Sequence, residues 1–202
     1  GEGKKGGEKK KEGEGDADKE AKEKAKILAK AIKEGGKKGV ELEGASDMGG
    51  LEFFCTSVDV ADGDMNLLKE TVKAMNAEPD PTAEERKGGA GHIGKMVFSA
   101  GPKQLIVMGT VPADKQAKVN CAEWMKAVLA SVGGKPVGDQ TAAEACGAVD
   151  ADADKGLFPI KMKDTALAAG IAYLREKGCF PDTGDDDDDS DVAFGDDAFD
   201  DL

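Results

Sequence analysis

The charge of this chain is concentrated at its two ends, and this confines any folded domain to the middle. Residues 182–202 contain 11 aspartates and no lysine or arginine. Residues 1–39 hold 13 lysines against nine acids, whereas residues 40–181 carry a net charge of -6. Segments with high charge and few apolar side chains cannot bury enough surface to offset the entropy lost on ordering. We therefore predict disordered tails at residues 1–17 and 182–202, with one domain between them.

A charged helix is predicted to lead into this domain, over residues 18–39. Asp18 is suited to cap the helix, and Gly35-Gly36 is expected to end its regular part at residue 34. Its apolar side chains follow a helical period, with lysines outside them: Ala21, Ala25, Leu28, Ala29 and Ile32. A thin apolar stripe of this kind predicts a surface helix that needs a partner face.

Strand and helix patterns alternate through residues 40–181, which predicts an α/β domain with helices packed on a mixed sheet. The predicted strands, rich in aromatic and β-branched residues, are 51–60, 95–99 and 104–111, the last two forming a hairpin. The predicted helices, with apolar residues three or four positions apart, are 65–75, 117–132 and 164–177. Asp164 is expected to cap the last helix, and residues 77–92 and 133–139 are expected to be loops.

The cysteines indicate a reducing compartment. Cys55, Cys121, Cys146 and Cys179 lie at least 25 residues apart and form no CxxC pair, so we expect buried thiols rather than disulfides. This predicts a cytoplasmic protein, with an organelle as the alternative. No run of 18 apolar residues is present, so no membrane span is predicted. Because the chain begins at Gly1, a removed segment or a longer parent protein stays an alternative.

Candidate catalytic residues are few. His92, the single histidine, has no second His or Cys at ligand spacing, so we expect a loop residue rather than a metal ligand. Cys121 stands near a predicted helix start, where the pKa of a thiol can fall, but no histidine is close to it in sequence. The Asp run 185–189 lacks the spaced ligands of a calcium loop. We expect a protein that is not an enzyme and takes no cofactor or metal.

Three stretches occur in an order that resembles a known family. They are GGLEFFCTSVDVADGDMNLLKETV, GKMVFSAGPKQLIVMGTVP and, at residues 117–147, AKVNCAEWMKAVLASVGGKPVGDQTAAEACG. This order resembles the C-terminal domain of alanyl-tRNA synthetase, which belongs to the wider DHH-associated domain family, over residues 18–178. The resemblance implies a non-catalytic module that grips the outer corner of tRNA, either as an appendage of a synthetase or as a free-standing relative.

The resemblance places the glycine-rich loop of the family at residues 133–139. The residues that match it are Gly133, Gly134, Lys135 and Gly138, which together with Lys126 form the candidate nucleic-acid-binding site. The loop is degenerate, because Pro136, Val137 and Asp139 replace the usual glycines and basic residue. Pro136 removes a backbone donor and Asp139 adds a negative charge, and both oppose a phosphate cradle. A plain helix end, with Gly133 at positive φ, is the alternative interpretation.

Two functions follow as alternatives. One is a tRNA-binding module with weak, mostly electrostatic RNA contacts, and the other is a structural or protein-interaction subunit of a larger assembly that has lost RNA binding. Trp124 is expected to be a core residue rather than a base-stacking one. The acidic tail is expected to aid solubility, to dock a protein partner, or to mimic nucleic acid or screen the basic N-terminal segment. The apolar residues that punctuate this tail are Val192, Phe194, Phe199 and Leu202.

Overall fold

The computed structural model describes residues 12–180, with side chains from residue 15 onward, so residues 1–11 of the tail predicted at 1–17 and the whole tail predicted at 182–202 lie outside it. The helices are α1 (Glu12–Gly49), α2 (Met65–Asn76), α3 (Cys121–Ala130) and α4 (Pro159–Glu176). The strands are β1 (Phe53–Ser57), β2 (Gly94–Ala100), β3 (Gln104–Thr110), β4 (Lys135–Val137) and β5 (Glu144–Asp150). Two short 3-10 helices, Ala113–Lys115 and Ala153–Lys155, complete the described part.

The five strands form one mixed sheet in the order β1-β2-β3-β5-β4. β1 runs parallel to β2, and the other neighbouring pairs are antiparallel. β2 and β3 form the predicted hairpin, in which Phe98 lies opposite Val107. The prediction of an α/β fold with helices on a mixed sheet is confirmed.

Helices cover both faces of the sheet. Phe98 and Val107 point to one face and pack with Trp124 of α3 and with α4. The preceding residue of each strand, Val97 and Ile106, points to the other face, where α2 and the second half of α1 cover it. Because β2 and β3 are buried on both faces, their sequences are almost continuously apolar.

The structure of α1 differs most from the prediction. This helix begins at Glu12, within the segment predicted to be disordered, and it continues through Gly35-Gly36 to Gly49. Gly35 and, one turn later, Gly39 face α2, and a Cβ at Gly39 would lie 2.7 Å from the carbonyl oxygen of Met75; Gly36 lies against the side chain of Lys87. The missing side chains of Gly35 and Gly39 let the two helix backbones approach closely, and this packing outweighs the low helix propensity of glycine.

The C-terminal helix α4 also begins earlier than predicted. It starts at Pro159, whose fixed φ suits the first turn of a helix, and Phe158 is its N-cap residue. Asp164 therefore lies within the helix, and its predicted capping role is wrong. The helix predicted at 117–132 is α3, whose N-cap Asn120 accepts from the amide of Glu123.

Two strands, β4 and β5, were not predicted, and one loop was predicted too long. Residues 135–137, within the predicted loop 133–139, form the edge strand β4. Its partner β5 contains Ala145, Gly147 and Ala148, small residues with low strand propensity, which is why the sequence pattern missed it. Tertiary pairing with β3 stabilises β5 in spite of that propensity.

A buried lysine ties the long loop between α2 and β2 to the sheet. Lys95 of β2 is fully buried, and its Nζ donates to the carbonyls of Ala90 and Ile93, each at 2.8 Å, and to the side chain of Asn76. Burial lowers the pKa of Lys95 to about 7. These bonds fix the two ends of the loop, at Asn76 and at residues 90–93.

Candidate nucleic-acid interface

The predicted loop site joins α3 to β4 at one edge of the sheet. Gly133 has a φ of 66° and therefore takes the left-handed conformation that ends a helix. The amide of Gly134 donates to the carbonyl of Leu129 at 2.9 Å, which completes this helix end. That amide is therefore engaged within the protein and is not a donor for a phosphate.

The hairpin that follows is held by a side chain. Gln140 donates through its amide nitrogen to the carbonyls of Val137, Gly138 and Cys146, at 3.0–3.2 Å. Gly138 has a φ of 69°, and a Cβ there would meet nothing within 4 Å. The turn is thus exposed and requires glycine for its backbone conformation, but its carbonyls are drawn toward Gln140.

The two lysines of the predicted site are both exposed. Lys126 lies on α3 one turn after Glu123, and Lys135 begins β4. Asp139, also exposed, lies in the turn that follows β4. Each lysine has a carboxylate three or four positions away along the chain, Glu123 for Lys126 and Asp139 for Lys135.

A stronger positive feature lies on α1. Lysines recur there at intervals of three or four residues and are all exposed: Lys19, Lys22, Lys26, Lys30, Lys33 and Lys37. At about 100° per residue, the six lie within an arc of about 80°, and no other residue between 19 and 37 falls in that arc. We call these six residues the lysine ridge. It is about 27 Å long at about 1.5 Å per residue.

Only the second half of α1 is anchored to the domain. Residues 15–30 are all exposed, and Ala31 is the first buried residue of the helix. The Glu34 carboxylate accepts from the backbone amides of Asp59 and Val60, at 2.8 and 3.2 Å, and so fastens the helix to the end of β1. The first half of the ridge therefore extends beyond the domain.

A groove of about 490 Å³ runs between α1 and residues 57–60. Its basic lining residues are Lys30, Lys33, Lys37 and Lys38. Its carboxylates are Glu34, which is occupied by backbone amides, Glu41, which pairs with Lys38 at 3.7 Å, and Asp59. Asp59 is therefore the one carboxylate in the groove that has neither a backbone amide nor a lysine as partner within the described residues.

The lysine ridge and the predicted loop do not form one site. The ridge borders β1, whereas the loop leads into β4, at the opposite edge of the five-stranded sheet. Four strand spacings separate these edges, which is about 19 Å. In addition, α1 and α3 cover opposite faces of the sheet. The spacing of the lysines could have revealed the ridge from sequence. The regular part of the predicted helix was expected to end at residue 34, however, and this left out Lys37.

The cysteines are free thiols with suppressed ionisation. Burial raises the pKa of both Cys55 and Cys121 to about 12. Cys121 is the first residue of α3, and desolvation outweighs any lowering of its pKa by the helix N-terminus. Across residues 12–180, no group of three or more potential ligand side chains is arranged to hold a metal ion. Nor does any helix in that range have the length and apolar character needed to cross a bilayer.

The chain was compared with protein families, curated proteins and solved structures. No family model matches it, and no curated protein matches it. Among solved structures, it is similar to the crystal structure of the C-Ala domain from Aquifex aeolicus alanyl-tRNA synthetase. The two share 15% sequence identity at a TM-score of 0.38, over 62% of this chain and 88% of that chain.

Proposed function

We propose that the chain is a non-catalytic module that binds RNA along the lysine ridge, with tRNA as the RNA implied by the sequence resemblance. The observation that carries the proposal is the arc of α1 that contains six exposed lysines and no other residue type. Lysine ammonium groups bind phosphates as point charges without reading bases. The ridge is therefore suited to a phosphate backbone of any sequence.

The position of the ridge separates it from the acidic domain. Lys19 precedes Ala31, the first buried residue, by 12 residues, or about 18 Å of helix. At physiological salt the Debye length is about 8 Å, so charges at that distance are largely screened. The net charge of -6 on residues 40–181 therefore opposes RNA binding less at the free half of α1 than at the domain surface.

The predicted loop residues stay a second proposed contact. The exposure of Lys126 and Lys135 and the open space around Gly133 and Gly138 support it. The engaged amide of Gly134 weighs against a phosphate cradle. We expect the loop to contribute less to affinity than the ridge.

Two triple variants of the full chain with equal net charge distinguish the two sites. K22Q/K26Q/K30Q removes half of the ridge, and K103Q/K126Q/K135Q removes three exposed lysines elsewhere, including both loop lysines. Fluorescence titration of tRNA at several salt concentrations measures affinity and its salt dependence. Each lost phosphate contact lowers the slope of log K against log salt by about 0.7–0.9.

We expect the ridge variant to lose at least about tenfold in affinity and about two units of that slope, as three lost phosphate contacts predict. The control variant should keep most of the affinity and most of the salt dependence. A loss confined to the control variant would assign binding to the loop. Equal losses in the two variants would mean that only net charge matters, and would contradict a ridge site.

A protein-interaction role is the second candidate, and one observation favours it. Leu28 and Ile32 are 37% and 43% exposed, on the side of α1 that continues the contact of Gly35 and Gly39 with α2. An exposed apolar stripe on this side of the helix is suited to a partner helix. Affinity purification with the wild type and with Leu28→Glu, followed by mass spectrometry, tests this role. A stoichiometric partner lost only in the variant would favour it over RNA binding.

A further inference from the structure

We infer that the acidic C-terminal segment of this same chain, residues 182–202, docks on the lysine ridge when RNA is absent. Only one part of this inference rests on the proposed function, namely that RNA competes with the tail for the ridge. The contact between tail and ridge follows from the chain itself, and it can be tested without RNA.

Charge complementarity selects the ridge as the docking surface. The tail carries 11 aspartates, five of them consecutive at 185–189. Within the side chains that the structure describes, none of the six ridge lysines has a carboxylate within 4 Å. α1 carries eight lysines, whereas α2 carries two basic residues and α4 three. The ridge gathers six of the α1 lysines into one arc that contains no carboxylate, and it is therefore a suitable target for a run of aspartates.

The tail also starts within reach of the ridge. Cys179 and Phe180 pack against the core at the end of the described chain. They belong to the cluster on the α3 and α4 side of the sheet, whereas α1 lies on the other side, so the tail must pass the β1 edge to come to the ridge. The groove beside the ridge lies at this edge, next to residues 57–60 at the C-terminal end of β1.

The aspartate run lies five to nine residues beyond Phe180, which ends the described chain. At 3.3–3.6 Å per residue, residues 181–189 span at most about 32 Å when extended. This exceeds the length of a five-residue strand, about 17 Å, and leaves chain to pass the sheet edge. The run at 185–189 can therefore come to the groove and lie beside Lys37, Lys33 and Lys30.

Tethering makes this weak contact effective. A segment joined by a short flexible linker has an effective concentration in the millimolar range. RNA must then displace the tail, so fewer counterions are released and the salt dependence of RNA binding becomes shallower. The tail acts as an internal competitor that a polyanion of higher charge density removes.

Zero-length carbodiimide crosslinking of the full chain tests the contact directly, because it joins only amines and carboxylates that touch. An equal mixture of natural-abundance and 15N-labelled protein distinguishes links within one copy from links between copies. We expect intrachain links from Asp185–Asp189 to Lys30, Lys33 and Lys37, which disappear at about 0.5 M salt, where screening is strong. Links spread evenly over all exposed lysines, or links only between copies, would overturn the inference.

A pair of full-chain variants tests the consequence for RNA. One replaces Asp185–Asp189 with Asn, and the control replaces the same number of scattered tail aspartates: Asp191, Asp196, Asp197, Asp200 and Asp201. We expect the first variant to bind tRNA about fivefold more tightly and with a steeper salt slope, and the control to gain less. Equal gains would indicate diffuse repulsion and contradict docking. If the chain binds no RNA, the proposed function fails, while the crosslinks still decide the docking.

Discussion

Gly35 of α1 lies directly against the backbone carbonyl of Thr71 in α2, so that a Cβ at position 35 would overlap that oxygen. This contact explains how a glycine pair is accommodated in the middle of a long helix. It also has a consequence for the surface. Because α1 continues through Gly35, Lys37 stays on the same side of the helix as Lys33 and Lys30, and the lysine ridge is continuous.

Gly35→Ala should destabilise the domain, and Gly44→Ala should not. The added methyl at position 35 forces α1 away from α2, and overpacking of this kind costs about 1–3 kcal/mol. A Cβ at Gly44, which is exposed in the same helix, meets nothing within 4 Å, so alanine there should raise the free energy of unfolding by about 0.5–1 kcal/mol. Urea denaturation of both variants measures the difference. An unchanged Gly35→Ala variant would contradict the close helix contact.

Deletion of residues 1–39 should lower the melting temperature, although the sequence suggested residue 40 as a domain boundary. The deletion removes Ala31, Gly35 and Gly39 from the face that covers α2. Deletion of residues 1–17 removes only part of the exposed arm and should leave the melting temperature unchanged. Thermal unfolding followed by circular dichroism compares the two. Equal melting temperatures would support a domain that begins at residue 40.

Ile106→Asp and Val107→Asp should each unfold the domain. The two residues are neighbours on β3 and point to opposite faces, yet both are buried because helices cover the sheet on both sides. An unpaired buried charge costs several kcal/mol against a total stability of about 5–15 kcal/mol. Lys103→Asp, in the exposed turn before β3, is the control and should fold normally. A cooperative melt at the normal temperature for either strand variant would show that its face is not covered.

The stability of the wild type relative to Lys95→Met should increase with pH above neutrality. Burial lowers the pKa of Lys95 to about 7, against an ordinary value of about 10.4 in the unfolded chain. Between these values the unfolded state binds the extra proton, so a rise in pH favours the folded state. The difference should grow by at most about 1.4 kcal/mol per pH unit. Urea unfolding of both proteins at pH 7, 8 and 9 measures this difference in stability. A difference that stays constant with pH would mean that the three hydrogen-bond acceptors around Lys95 keep it charged in the folded state.

Local sequence patterns predicted the parts of the fold whose residues have one strong preference. The apolar, β-branched runs of β2 and β3 are buried whichever face is considered, so their strand pattern is visible without any partner. The spacing of Leu68, Val72 and Met75 predicted α2, and Trp124 was correctly expected in the core. In each case the burial of large apolar side chains dominates the local free energy, and that preference is encoded in a few adjacent residues.

Tertiary contacts decided what these patterns could not. Gly35 and Gly39 have low helix propensity, but their close approach to α2 keeps α1 helical, and no local pattern reports a partner that lies more than 30 residues away. The small residues of β5 form a strand because β3 and β4 supply its hydrogen bonds. The candidate site changed for the same reason. The sequence by itself determined that lysines recur every three or four residues, whereas only the packing of α1 on α2 made them one continuous surface.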